Sequence, residues 1–202
     1  MRAHDRVRRG AALPGVLIVM LWLTGISGWL VAHTVWDQRI VAVDDRSSAL
    51  GQGADAMGHV ATLMVGGLAD WGMVTTPGPA LPCPGGGPPL PPAIDPLAET
   101  TSLQATTDTL SRWDAAARPI WRYLTACHAE TLQGIWRWRV PAPWLLVWAA
   151  DMPDGVAIGG PDPQLVLHVM ALWPQGGRAA RTITLRRHAG ETWARIVAWR
   201  LD

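Results

Sequence analysis

Arg8-Arg9-Gly10-Ala11-Ala12-Leu13-Pro14-Gly15 runs straight into VLIVMLWLTGISGWLVAHTVW, residues 16–36. No charged side chain stands between Arg9 and Asp37. As a helix, the 21 residues Val16–Trp36 would be about 31 Å long at 1.5 Å per residue, the thickness of a bilayer's hydrocarbon core. The competing reading is a helix buried in a soluble core, but such helices seldom run so far without a charge. The apolar stretch, counted from Ala11 to Trp36, is therefore expected to cross a membrane.

The flanks set the direction. Arg2, Arg6, Arg8 and Arg9 against Asp5 leave residues 1–10 at +3, whereas Asp37, Arg39, Asp44, Asp45 and Arg46 beyond the span sum to −1. The positive-inside rule keeps the basic leader in the cytoplasm and carries the remainder across. A cleaved secretory signal is the alternative. Its apolar region is normally shorter and ends at a small-residue site, yet the pattern at Ser27-Gly28 is followed by more apolar sequence.

The whole chain has 202 residues, net charge +1 and 49% hydrophobic side chains. That composition argues against disorder and against a nucleic-acid surface, which needs clustered positive charge. One ordinary domain, or a small domain with an appendage, is expected. Two cysteines permit one disulfide and exclude a cysteine-built metal cluster.

The junction Arg8-Arg9-Gly10-Ala11-Ala12-Leu13 resembles the leader of type IV prepilin-like proteins, and is most similar to the PilX-like minor pilins. The resemblance covers about the first forty residues. It implies that prepilin peptidase cuts between Gly10 and Ala11, that Ala11 becomes the N-methylated first residue, and that the apolar helix stays on the mature chain. It also implies a bacterial inner-membrane protein with a periplasmic C-terminal domain, and as partners other pilin-like subunits, the inner-membrane assembly platform and membrane lipid. Two positions depart from the family pattern. Most major pilins carry Phe first and Glu fifth after the cut, where this chain has Ala11 and Gly15. The family's Glu is thought to pair with a neighbouring N-terminal amine, so its absence points to a minor subunit. A generic single-pass anchor with an accidental Gly10 is the bland alternative.

Past the bilayer, Leu50, Ala54, Met57, Ala61, Met64, Leu68 and Trp71 recur at steps of four and three. This is the seam of an amphipathic helix continuing over 37–72, although Gly51, Gly53, Gly58, Gly66 and Gly67 weaken it. Packing in a groove of the domain would offset that cost; a coiled-coil seam with a partner is the other reading. Trp22, Trp29 and Trp36 repeat every seven residues and share one side of the helix, which favours subunit packing over lipid.

Residues 77–96 hold nine Pro and four Gly and are expected to form an extended loop, with a PxxP ligand as the lesser alternative. Residues 97–202 are expected to form an α+β domain. Leu97–Ala117 reads as a mostly polar helix with Leu103, Leu110 and Trp113 on one side. Ile135–Val140, Trp144–Ala150, Leu165–Trp173, Arg181–Arg186 and Trp193–Leu201 read as strands, the last of them closing an antiparallel meander. In that last run Trp193, Arg195, Val197 and Trp199 should share one face, with Ile196, Ala198 and Arg200 on the other. A long membrane-spanning helix packed on a C-terminal antiparallel sheet is α+β, the order a pilin-like fold uses.

Chemistry leaves little trace. There is no Walker loop, nucleophile elbow, HExxH or Cys-x-x-Cys. His4, His33, His59, His128, His168 and His188 lie at no ligand spacing. Asp151-Met152-Pro153-Asp154-Gly155 with Asp162 lacks the further oxygens of a calcium loop. Arg137 and Arg139 between tryptophans read as a solvated strand face and not as a base-stacking platform. Neither an enzyme, a metal nor a cofactor is expected. Cys83 and Cys127 would both face an oxidising compartment and are expected to bridge, with free thiols or a bond to another chain as alternatives. The expected function is a minor pilin or pseudopilin acting in filament assembly. The alternative is an unprocessed single-pass inner-membrane scaffold of an envelope or secretion complex.

Overall fold

The computed structural model describes residues 4–76, 78–84, 86–109, 119–132, 142–151, 163–188 and 190–202, with side chains from Val16 onward. The expected strand Ile135–Val140 with Arg137 and Arg139, the helix positions Leu110 and Trp113, and the loop residues Asp154 and Asp162 lie outside them. The chain divides into two compact units, 1–44 and 45–202. A long N-terminal helix, α1 (His4–Gly66), is followed by α2 (Gly72–Thr75), α3 (Pro96–Thr109), β1 (Arg122–His128), a 3-10 turn (Ala129–Leu132), β2 (Trp144–Asp151), β3 (Gln164–Leu172), β4 (Arg178–Arg186) and β5 (Arg195–Leu201). The layout is α+β.

In the second unit the strands form one antiparallel sheet in the order β1-β2-β3-β4-β5, a plain meander. β2 and β3 read as unbroken apolar runs because both their faces are covered. On one face Leu145, Val147, Leu165, Leu167, Ile183 and Leu185 meet α1 through Leu50, Ala54, Met57, Ala61 and Val65. On the other, Leu146, Trp148, Val166 and Met170 lie under Ile94 and Trp121, with Leu103 of α3 packed alongside. The glycines of α1 are where it meets the sheet closely. A Cβ on Gly53 would stand 3.1 Å from Leu145 Cδ2, and one on Gly58 would stand 2.8 Å from both Ile183 Cδ1 and Trp199 Cη2.

Two expectations are corrected, and one strand was not foreseen. The helix ends at Gly66, short of Gly72, so Leu68 and Trp71 sit beyond it. Arg187 secures this end: its guanidinium donates to the carbonyls of Gly66, Leu68 and Ala69 and stacks on the Trp71 ring at 4.6 Å. β1 was not legible as a strand. Its Arg-Tyr-Leu-Thr-Ala-Cys-His run mixes polar residues on both faces, and a bulge between Tyr123 and Thr125 breaks its alternation. Second, the faces of β5 slip. Ile196 pairs with Leu185 and Trp199 with Ile183, so Val197 is an extra bulge residue. Ile196 and Trp199 therefore share the α1 side, while Arg195, Ala198 and Arg200 take the other.

Capping explains α3. Asp95 Oδ1 accepts the Leu97 N–H at 2.9 Å, and Pro96 occupies the first turn, where a missing N–H costs little. Two indoles then hold the helix on the sheet: Trp148 Nε1 donates to Thr100 Oγ1 and Trp121 Nε1 to Thr107 Oγ1, each at 2.7 Å.

Candidate functional site

The first unit supplies the chain's most distinctive surface. From Val16 to Val43 the apolar side chains of α1 stand exposed, with Leu21 at 75% and Trp22 at 70%. The helix is long and apolar enough to cross a membrane, with mean hydropathy 1.8 over its best 18-residue window. Its hydroxyls are satisfied locally. Thr24 donates to Met20 O, Ser27 to Leu23 O and Thr34 to Val31 O, so these groups would bring no unmet hydrogen bond into a bilayer. Leu21, Trp22, Gly25, Ile26 and Trp29 line a shallow apolar groove, and a Cβ on Gly25 or Gly28 would meet nothing within 4 Å. At the end of the charge-free run, His33 Nδ1 lies 2.9 Å from Asp37 Oδ2, one turn on. Gly10, Ala11 and Gly15 fall within α1, but their surroundings lie outside the described side chains.

In the second unit the Pro/Gly-rich loop is tied to the sheet. Cys83 and Cys127 form a disulfide with Cα atoms 5.4 Å apart. Beside it the Leu81 N–H donates to Leu124 O, covering the outer edge of β1. Loop and sheet together flank an open pocket of about 340 Å³ lined by Pro82, Pro88, Leu90, Tyr123, His128 and Trp144, among others. Burial raises the pKa of Tyr123. The His128 ring lies 4.9 Å from that of Trp144.

The most deeply buried titratable group among the described residues is His168 on β3, its ring 5.7 Å from that of Trp121 and 5.9 Å from that of Trp148. Its Nδ1 is 3.2 Å from Thr182 Oγ1, whose hydroxyl donates to Asp202. Burial lowers its pKa from 6.5 to about 4, and the Asp202 charge opposes that shift. At neutral pH it is therefore a neutral, hydrogen-bonded core imidazole packed near two indoles. Among the described residues no group of three or more His, Cys, Asp and Glu could hold a metal ion.

Sequence reading missed the arginines that join α1 to the sheet. Arg181 on β4 reaches Asp55 on α1, Nε to Oδ1 at 2.6 Å and Nη2 to Oδ2 at 3.4 Å. The strand alternation puts it on the same face as Ile183 and Leu185, and only α1 lying over that face supplies the carboxylate that pairs with it. No protein-family model, curated protein or solved structure matches this chain.

Proposed function

We propose that the chain is a minor pilin or pseudopilin subunit of a type IV pilus or related secretion filament, and that it acts in filament assembly. The observation that carries this reading is the basic Arg8-Arg9-Gly10 junction set against an uncharged apolar run. That run belongs to a helix whose later turns pack on an antiparallel sheet, the layout such subunits use. On this reading the leader stays in the cytoplasm, the sheet domain is periplasmic, and Ala11 is methylated after the cut at Gly10. The exposed Trp22 and Trp29 face neighbouring subunits within the filament core.

Intact-mass analysis of protein extracted from membranes of a peptidase-competent host tests it. Loss of residues 1–10 and gain of one methyl group are expected, and Gly10→Leu should leave the precursor uncut. Recovery of Met1 or Arg2 on the mature chain overturns the proposal. Gly15, where the family carries Glu, favours a second reading: an unprocessed single-pass scaffold of an envelope or secretion complex. An intact leader would select it.

A further inference from the structure

β5 is the last strand of the sheet, and among the described residues no strand lies beyond it. The Asp202 N–H donates to Ala180 O, so ladder alternation turns the main-chain groups of Trp199 and Leu201 toward the open side. Exposed main-chain groups of this kind are a template for another strand. Ile196, Val197 and Leu201 are exposed along the same edge.

The charge on this edge is mostly basic, with Glu191 and Asp202 as its described carboxylates. Arg195 and Arg200 share a face of β5 with Arg186 of β4, and Arg186 stands directly opposite Arg195. Like charges in that position destabilise a sheet. Glu191 pairs with Arg195, but Arg178, Arg186 and Arg200 have no carboxylate partner among the described residues, and Arg186 Nε is buried without an acceptor. A second copy of β5 would bring the same arginines to one seam, so the edge repels its own kind. An anionic bilayer or nucleic acid would answer the charge alone, leaving the open main chain and the apolar side of β5 unused.

We propose that the outer edge of β5 docks an extended strand of a partner protein in which acidic and apolar residues alternate. Its carboxylates lie beside Arg195 and Arg200, its apolar side chains beside Ile196 and Trp199, and its main chain continues the sheet. This does not depend on whether the leader is cut.

The test uses the full chain in non-ionic detergent micelles and three fluorescein-labelled peptides of about eight residues, a typical strand length. One alternates Glu and Val, one alternates Lys and Val, and one is the Glu–Val peptide with alternate amides N-methylated. Fluorescence anisotropy should show binding of the first only. The double variant Arg195→Glu, Arg200→Glu changes exposed positions, and circular dichroism should show it folded. It should weaken binding of the Glu–Val peptide by about tenfold or more and admit the Lys–Val peptide. Equal binding of the N-methylated peptide would reduce the effect to charge attraction and overturn strand docking. Glu–Val binding unchanged by the double variant would overturn the assignment to this edge.

Discussion

At the scale of single residues, the glycines of α1 divide by what lies above them. A Cβ on Gly51 would meet only Arg181 Nη2, at 3.4 Å, whereas one on Gly58 would press on Ile183 and the rigid Trp199 indole. Gly51→Ala should therefore stabilise the fold by up to about 1 kcal/mol through helix propensity. Gly58→Leu should destabilise it by about 1–3 kcal/mol through overpacking. Urea unfolding of the two variants, followed by tryptophan fluorescence, checks both signs. His168 makes a pH prediction. Its folded pKa, about 4, lies below the unfolded value of 6.5, so the fold disfavours the protonated form. Its contribution is fully present above pH 6.5 and is lost as pH falls toward 4, because the unfolded chain takes up the proton first. The loss is on the order of 3 kcal/mol. His168→Gln should flatten the pH dependence of the urea midpoint across that window, and an unchanged slope would assign the acid sensitivity to other groups. Neither the spacing of the glycines nor that of the histidines distinguishes these positions; contact and burial do.

At the scale of elements, the Pro/Gly-rich loop depends on its tether. Residues rich in Pro offer few N–H donors, and the described loop makes few main-chain bonds, Leu81 to Leu124 and Gly86 to Cys83 among them. The disulfide closes a sequence separation of 44 residues, for which the chain-entropy model gives roughly 4 kcal/mol. Unreduced, denatured protein should take up no alkylating label at Cys83 or Cys127, and two labels after reduction. The double variant Cys83→Ser, Cys127→Ser should lower the urea midpoint and speed hydrogen exchange at Leu81. A midpoint equal to that of the parent protein would show that sheet packing alone holds the loop. The presence of two cysteines beyond the long apolar helix was legible as a candidate bridge. Their pairing was the expected one, but that Cys127 lies on a strand was not legible, because mixed polarity and a bulge hid β1.

At the scale of the whole molecule, Gly15 stands where a filament's bulk subunit would carry its Glu, so the proposed subunit should be sparse. Quantitative mass spectrometry of sheared filaments should find it well below the major subunit, and comparable abundance would show that Gly15 carries no such meaning. The long apolar helix, the Pro-rich loop and the central strands were determined by the sequence itself. Each rests on a one-dimensional property: an apolar run without charge, the proline ring, or a continuous apolar stretch that only double burial tolerates. Where α1 ends, which glycines accept a neighbour, and which face Trp199 takes were decided only in three dimensions. Those outcomes depend on Arg187 reaching the carbonyls of Gly66, Leu68 and Ala69, and on one bulge residue at Val197. The Arg187 contacts join segments more than a hundred residues apart, and the bulge breaks the alternation that local spacing assumes.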